Sequence, residues 1–137
     1  MLFVVGIFTA RTAWITALEV LGLADVEPYP EPVEDGATFE ENAIKKCLSV
    51  GREAISLTLA DDSGLEVDAL GGRPGVRSAR FAHEHATDAE NNAALLSALG
   101  EMGDDERTAR FKCVLALWDP FKGPDSTPIV VEGVCEG

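Results

Sequence analysis

From Arg107 to Trp118 an apolar side chain returns at every second residue, through Ala109, Phe111, Cys113, Leu115 and Leu117. A repeat of two puts those side chains on one face of an extended backbone, whose amide and carbonyl groups then need partners. The segment is therefore expected to be a strand within a sheet. Leu2–Phe8 is an apolar run rich in branched and aromatic residues, suited to a strand covered on both faces. Ile55, Leu57 and Leu59 alternate across Ala54–Ala60, and an extended pattern resumes at Leu65–Leu70. Ile129–Val134 is placed to pair with the Arg107–Trp118 strand.

Helices are expected between these strands. Thr38 is followed three residues later by Glu41, a spacing in which hydroxyl and carboxylate reciprocally cap backbone amides. Ala43, Ile44, Cys47 and Leu48 then line one helical face as far as a stop at Gly51. Thr87 and Glu90 repeat the signal ahead of Ala93, Leu95, Leu96 and Leu99. An earlier helix is expected from Thr9 or Thr12, with Trp14, Leu18 and Leu21 at helical spacing and Gly22 as its end. Pro28, Pro30 and Pro32 mark an extended loop or edge strand, Gly71-Gly72-Arg73-Pro74-Gly75 a second loop, and Phe121–Thr127 a turn. Helices interleaved with strands imply an α/β fold in one domain over residues 1–137.

Charge narrows the partners. With 11 basic against 24 acidic residues the formal net charge is −13, which repels nucleic-acid backbones. A small polyanion binds such a chain only where local cations or a metal ion invert the field. Cys47, Cys113 and Cys135 are odd in number and lack C-x-x-C spacing, so they read as thiols of a cytoplasmic protein. The apolar N-terminal run lacks a basic leader and is shorter than a membrane span, so neither targeting nor a membrane is expected.

The most informative segment is Leu59-Ala60-Asp61-Asp62-Ser63-Gly64-Leu65, where an apolar strand is expected to end in a Ser-Gly turn. Neighbouring side chains on an extended backbone face opposite ways, so Asp61 and Asp62 share one task only if the chain twists or bulges. One then holds a cation and the other acts on water, and Mg²⁺ suits two nearby carboxylates. The same residues also read as a plain polar turn. Glu34-Asp35-Gly36 is either a further oxygen ligand or a solvated acidic loop, and Lys45 and Lys46 lie on the helix behind it. Arg73, Arg77 and Arg80 concentrate positive charge, either facing phosphate or pairing with the many carboxylates. His83 and His85 flank Glu84 without a third ligand nearby, and Ser63 has no histidine at a nucleophile spacing.

Taken in order, Thr38-Phe39-Glu40-Glu41-Asn42-Ala43, the stretch Leu59–Leu70, and Gly72-Arg73-Pro74-Gly75-Val76-Arg77-Ser78-Ala79-Arg80 resemble the inosine/xanthosine triphosphate pyrophosphatases. Ala86-Thr87-Asp88, Asn91-Asn92, Arg107-Thr108-Ala109-Arg110-Phe111 and Glu132-Gly133 continue the likeness. The resemblance implies an α/β fold with a mixed central β-sheet flanked by helices, and a homodimer that hydrolyses non-standard purine nucleoside triphosphates to monophosphate and pyrophosphate with Mg²⁺. It implies Asp62 as general base, Glu34, Asp61 and Asp62 around the metal, Ser63 and Thr9 at the substrate, and Lys46 at the phosphates. Two departures stand out. The family's T-x-N-x-x-K motif keeps Thr9 but has Arg11 and Trp14 at its asparagine and lysine positions. Its G-F-G-Y-D-P and S-H-R segments are not found before Gly137, so a truncated member is expected. A non-catalytic nucleotide-binding or dimer-forming module is the alternative reading.

Overall fold

The computed structural model describes residues 4–7, 19–22, 25 and 32–137. Among them, strands β1 (Val4–Ile7), β2 (Glu19–Gly22), β3 (Leu57–Val67), β5 (Ala109–Trp118) and β6 (Ile129–Glu136) form one sheet in the order β2-β1-β3-β5-β6. A short β4 (Arg73–Pro74) pairs with the far end of β3. Every described pairing is antiparallel. Helices α1 (Phe39–Ala54) and α2 (Asp88–Leu99) complete the α/β architecture.

Both helix starts appear where the threonines place them. Thr87 Oγ1 accepts from the Glu90 amide and the Glu90 carboxylate accepts from the Thr87 amide, a complete capping box. At α1 the Thr38 hydroxyl accepts from the Glu41 amide, but the Glu41 carboxylate turns to the Ala37 amide instead. Gly51 does not stop α1, which runs on to Ala54. A Cβ at Gly51 would lie 2.6 Å from the Trp118 ring, so this buried glycine lets the helix close onto the sheet.

A helix expectation and a turn expectation are corrected, both in favour of strands. The helix proposed up to Leu21 fails at its end: Glu19–Gly22 is strand β2, with Leu21 opposite Val5, and residues 9–18 lie outside the described residues. Pairing along β1 satisfies these backbone groups, and such tertiary pairing overrides weak local preference. The supposed turn at Asp61-Asp62-Ser63-Gly64 is also absent. β3 passes straight through it, paired residue by residue with β5 from Thr58 opposite Trp118 to Val67 opposite Ala109.

The core lies between α1 and one face of the sheet. Phe39, Ala43 and Cys47 pack with Ala60, Val114, Ala116 and Trp118. The fully buried positions of β5 are thus Val114, Ala116 and Trp118, while Phe111 on the alternate face is exposed. Alternation marked the strand correctly, yet the helix covers the face carrying two small alanines, Ala60 and Ala116, over which a backbone can approach closely.

Candidate functional site

Asn42 and Lys46 are four residues apart on α1, and so neighbours on its buried face. Both reach Asp62, which the alternation of β3 turns toward the helix. The three residues are almost withdrawn from solvent, at 1%, 2% and 8% exposure. Burying an ammonium is costly unless its protons are all received. Here the Lys46 Nζ donates to Asp62 Oδ1 at 2.6 Å and to the Asp61 carbonyl at 3.2 Å, and lies 2.9 Å from Glu34 Oε1. Burial is the largest single influence on Lys46 and works against its charge. The hydrogen bonds and charges of Asp62 and Glu34 together outweigh it, raising the lysine above its ordinary 10.5.

Glu34 arrives from the loop before α1, and two contacts hold that loop. Asn42 Oδ1 accepts from the Gly36 amide at 2.8 Å while its Nδ2 donates to Asp62 Oδ2 at 3.1 Å. Arg80 donates to the Glu34 carbonyl at 2.9 Å and places its guanidinium 3.7 Å from Glu34 Oε2. Each Glu34 oxygen therefore faces a cation, and two carboxylates balance two cations in the cluster Glu34, Lys46, Asp62 and Arg80. A cavity of about 750 Å³, lined by Glu34, Arg77, Arg80, Glu84 and His85, opens beside it.

The expected residues divide on this geometry. Glu34, Lys46 and Asp62 are brought together. Asp61 and Ser63 are not, because β3 stays regular and adjacent side chains alternate between its faces. Only the Asp61 carbonyl joins the cluster. Thr9 lies outside the described residues. Lys45 pairs with Asp35, Arg73 donates to the Leu70 carbonyl, and His83 faces Glu90. Sequence reasoning gave no role to Asn42 and did not link Arg80 to Glu34. The signal for Asn42 was a polar residue on an otherwise apolar helix face, between Phe39 and Lys46 and beside Ala43. Arg80 and Glu34 are 46 residues apart, beyond any local pattern.

The model of the Ham1 family matches residues 7–137. The chain belongs to the Ham1 family. It is 56% identical over 120 residues to a dITP/XTP pyrophosphatase of Syntrophobacter fumaroxidans, covering 88% of this chain and 49% of that protein. A dITP/XTP pyrophosphatase of Desulforamulus reducens is 51% identical over 119 residues, covering 87% and 57%. Among solved structures, a nucleoside-triphosphatase/dITP/XTP pyrophosphatase from Mycobacterium abscessus superposes with a TM-score of 0.74 at 42% identity, over 87% of this chain and 60% of that one. A HAM1 protein from Coxiella burnetii gives 0.72 at 43% identity, over 80% and 54%. The chain spans about half the length of the curated relatives it matches.

The resemblance noted from the sequence implies a metal ion. Among the described residues no group of three His, Cys, Asp or Glu side chains is close enough to hold one. Glu34 and Asp62 instead bring two carboxylates together, converging on one cationic nitrogen, the Lys46 ammonium. Mg²⁺ is commonly held by one or two carboxylates, with phosphate oxygens and water completing its shell. Asp61 is not part of that set.

Proposed function

We propose that this chain hydrolyses non-standard purine nucleoside triphosphates of the dITP and XTP kind, releasing the monophosphate and pyrophosphate. The observation that carries the reading is the buried Asp62 carboxylate, oriented by Asn42 and Lys46 beside Glu34, which itself lines a cavity. The names and the roughly 50% identity of the relatives support the substrate class.

Asp62 serves as the base that takes a proton from the attacking water. Its Oδ1 faces Lys46 and its Oδ2 faces Asn42, so the carboxylate has one fixed orientation, which general base catalysis requires. Glu34 and Asp62 would hold Mg²⁺, which supplies positive charge against the triphosphate and makes a bound water more acidic. Lys46 spends its three protons within the protein, so contact with a phosphate requires it to exchange a partner. Arg80 fixes Glu34 from the other side. Thr9 is assigned to the triphosphate, whereas the placement of Ser63 on the alternate face of β3 gives its side chain no part on this side. A homodimer in the cytoplasm completes the reading, the latter in keeping with three unbonded thiols.

The test is pyrophosphate release from dITP or XTP with Mg²⁺, comparing the protein with Asp62→Asn. Loss of a general base is expected to slow turnover at least about 100-fold. Equal release by the two proteins, or none by either, overturns the hydrolase. Saturable binding of a nonhydrolysable triphosphate without turnover would instead establish a nucleotide-binding module.

A further inference from the structure

The charges around the cavity beside Glu34 are almost all accounted for. Glu34 is shared by Lys46 and Arg80, Asp35 is held by Lys45, and Glu84 lies 3.9 Å from Arg80. Arg77 is the exception: among the described residues it has neither a hydrogen bond nor an ion pair. Arg52, Arg73 and Arg107 also lack an ion pair among the described residues, so what distinguishes Arg77 is its place on the cavity.

Its position is built rather than accidental. Gly75–Arg80 comprises two 3₁₀ turns joined across a kink. Arg77 and Arg80 both line the cavity. Arg77 itself sits at a kink, with φ −98° and ψ 15°, a sparsely used conformation that re-aims a side chain between two turns. Ser78 anchors the segment, accepting from the Leu65 amide at 2.9 Å and donating to the Gly75 carbonyl at 2.6 Å. An exposed guanidinium thus stands over a cavity whose other cations are already neutralised.

We propose that Arg77 is an anion-binding residue of this cleft and takes the phosphate oxygens of the nucleoside triphosphate, an inference that rests on the function proposed above. The planar fork of a guanidinium matches two phosphate oxygens at once. Arg77 supplies the uncompensated positive charge that an anionic substrate needs in a protein of net charge −13. Arg80 cannot fill that role without releasing Glu34.

Calorimetry with Mg²⁺ present tests this, using inorganic tripolyphosphate, a nonhydrolysable inosine triphosphate analogue and inosine as probes. The proteins are the unaltered chain, Arg77→Ala, Arg77→Lys and Lys122→Ala. The last removes one exposed positive charge outside the cavity and controls for net charge. Arg77→Ala is expected to weaken tripolyphosphate and analogue binding about 10-fold, the size of one lost charge-assisted contact, and to leave inosine unchanged. Arg77→Lys should fall between, and Lys122→Ala should bind as the parent does. Parent-like binding by Arg77→Ala, with the unaltered chain binding both phosphates, overturns the role of Arg77 alone. Absence of phosphate binding by the unaltered chain overturns both this role and the function on which it rests.

Discussion

Replacing Lys46 by Met tests whether the Glu34–Lys46–Asp62 cluster is an electrostatic unit. Methionine keeps most of the apolar stem but removes an ammonium whose side chain is 3% exposed, between carboxylates that are 10% and 24% exposed. Breaking a buried pair by deleting one partner costs about 3–5 kcal/mol. The lower end applies here, because Asp62 still accepts from Asn42 and Glu34 still faces Arg80. Asp62→Asn has a different cost. One amide oxygen cannot receive both Lys46 and Asn42, so an NH₂ group must face a donor unless Asn42 turns and abandons the Gly36 amide. A loss of about 2 kcal/mol is expected from that mismatch. In the double variant the conflict disappears: the new amide accepts from Asn42 and its NH₂ group can turn toward Glu34. The two losses should therefore fall short of additivity by about 2 kcal/mol. Urea unfolding followed by circular dichroism, on both singles, the double and the parent, measures this directly. Additivity within about 0.5 kcal/mol, or a Lys46→Met loss under about 1 kcal/mol, refutes the account of a coupled cluster.

Other outcomes follow from single positions. A Cβ on Gly64 would meet Ser78 Oγ at 2.4 Å and the Gly75 carbonyl at 2.8 Å, so Gly64→Ala should cost about 1–3 kcal/mol in the same unfolding assay and displace the segment carrying Arg77. Ile55 ends α1 at φ 49° and is 76% exposed, so Ile55→Gly should raise stability by about 1 kcal/mol, relieving a left-handed conformation with little packing to lose. Burial pushes the Cys47 thiol up to about 12, so it should resist alkylation in the folded protein at neutral and mildly alkaline pH. Mass spectrometry of iodoacetamide-treated protein should find exposed Cys135 labelled first, with Cys47 labelled only after denaturation. The raised Lys46 gives a stabilising contribution that is complete below 10.5 and disappears as pH climbs through its folded-state value. Stability measured against alkaline pH should therefore decline more steeply in the parent than in Lys46→Met.

Local chemistry in the amino-acid sequence was enough to start both helices, because a threonine and a glutamate three residues on act within one turn and need no distant partner. It was also enough to mark β5 and β6 as strands, whereas Glu34, Lys46 and Asp62 were singled out by the resemblance to a family. Tertiary structure decided the rest. Asp61-Asp62-Ser63-Gly64 has turn composition, yet it lies within a strand held extended by ten residue pairs with β5, and the resulting alternation separates Asp62 from Asp61 and Ser63. Which face of β5 became the core depended on where α1 could approach, over Gly51, Ala60 and Ala116. Asn42 and Arg80 acquired their roles from partners 20 and 46 residues away. Periodicity and capping are short-range and therefore legible along the chain. Charge neutralisation inside a cleft joins groups from a loop, a helix and a strand, and only the packed fold brings them within hydrogen-bonding distance.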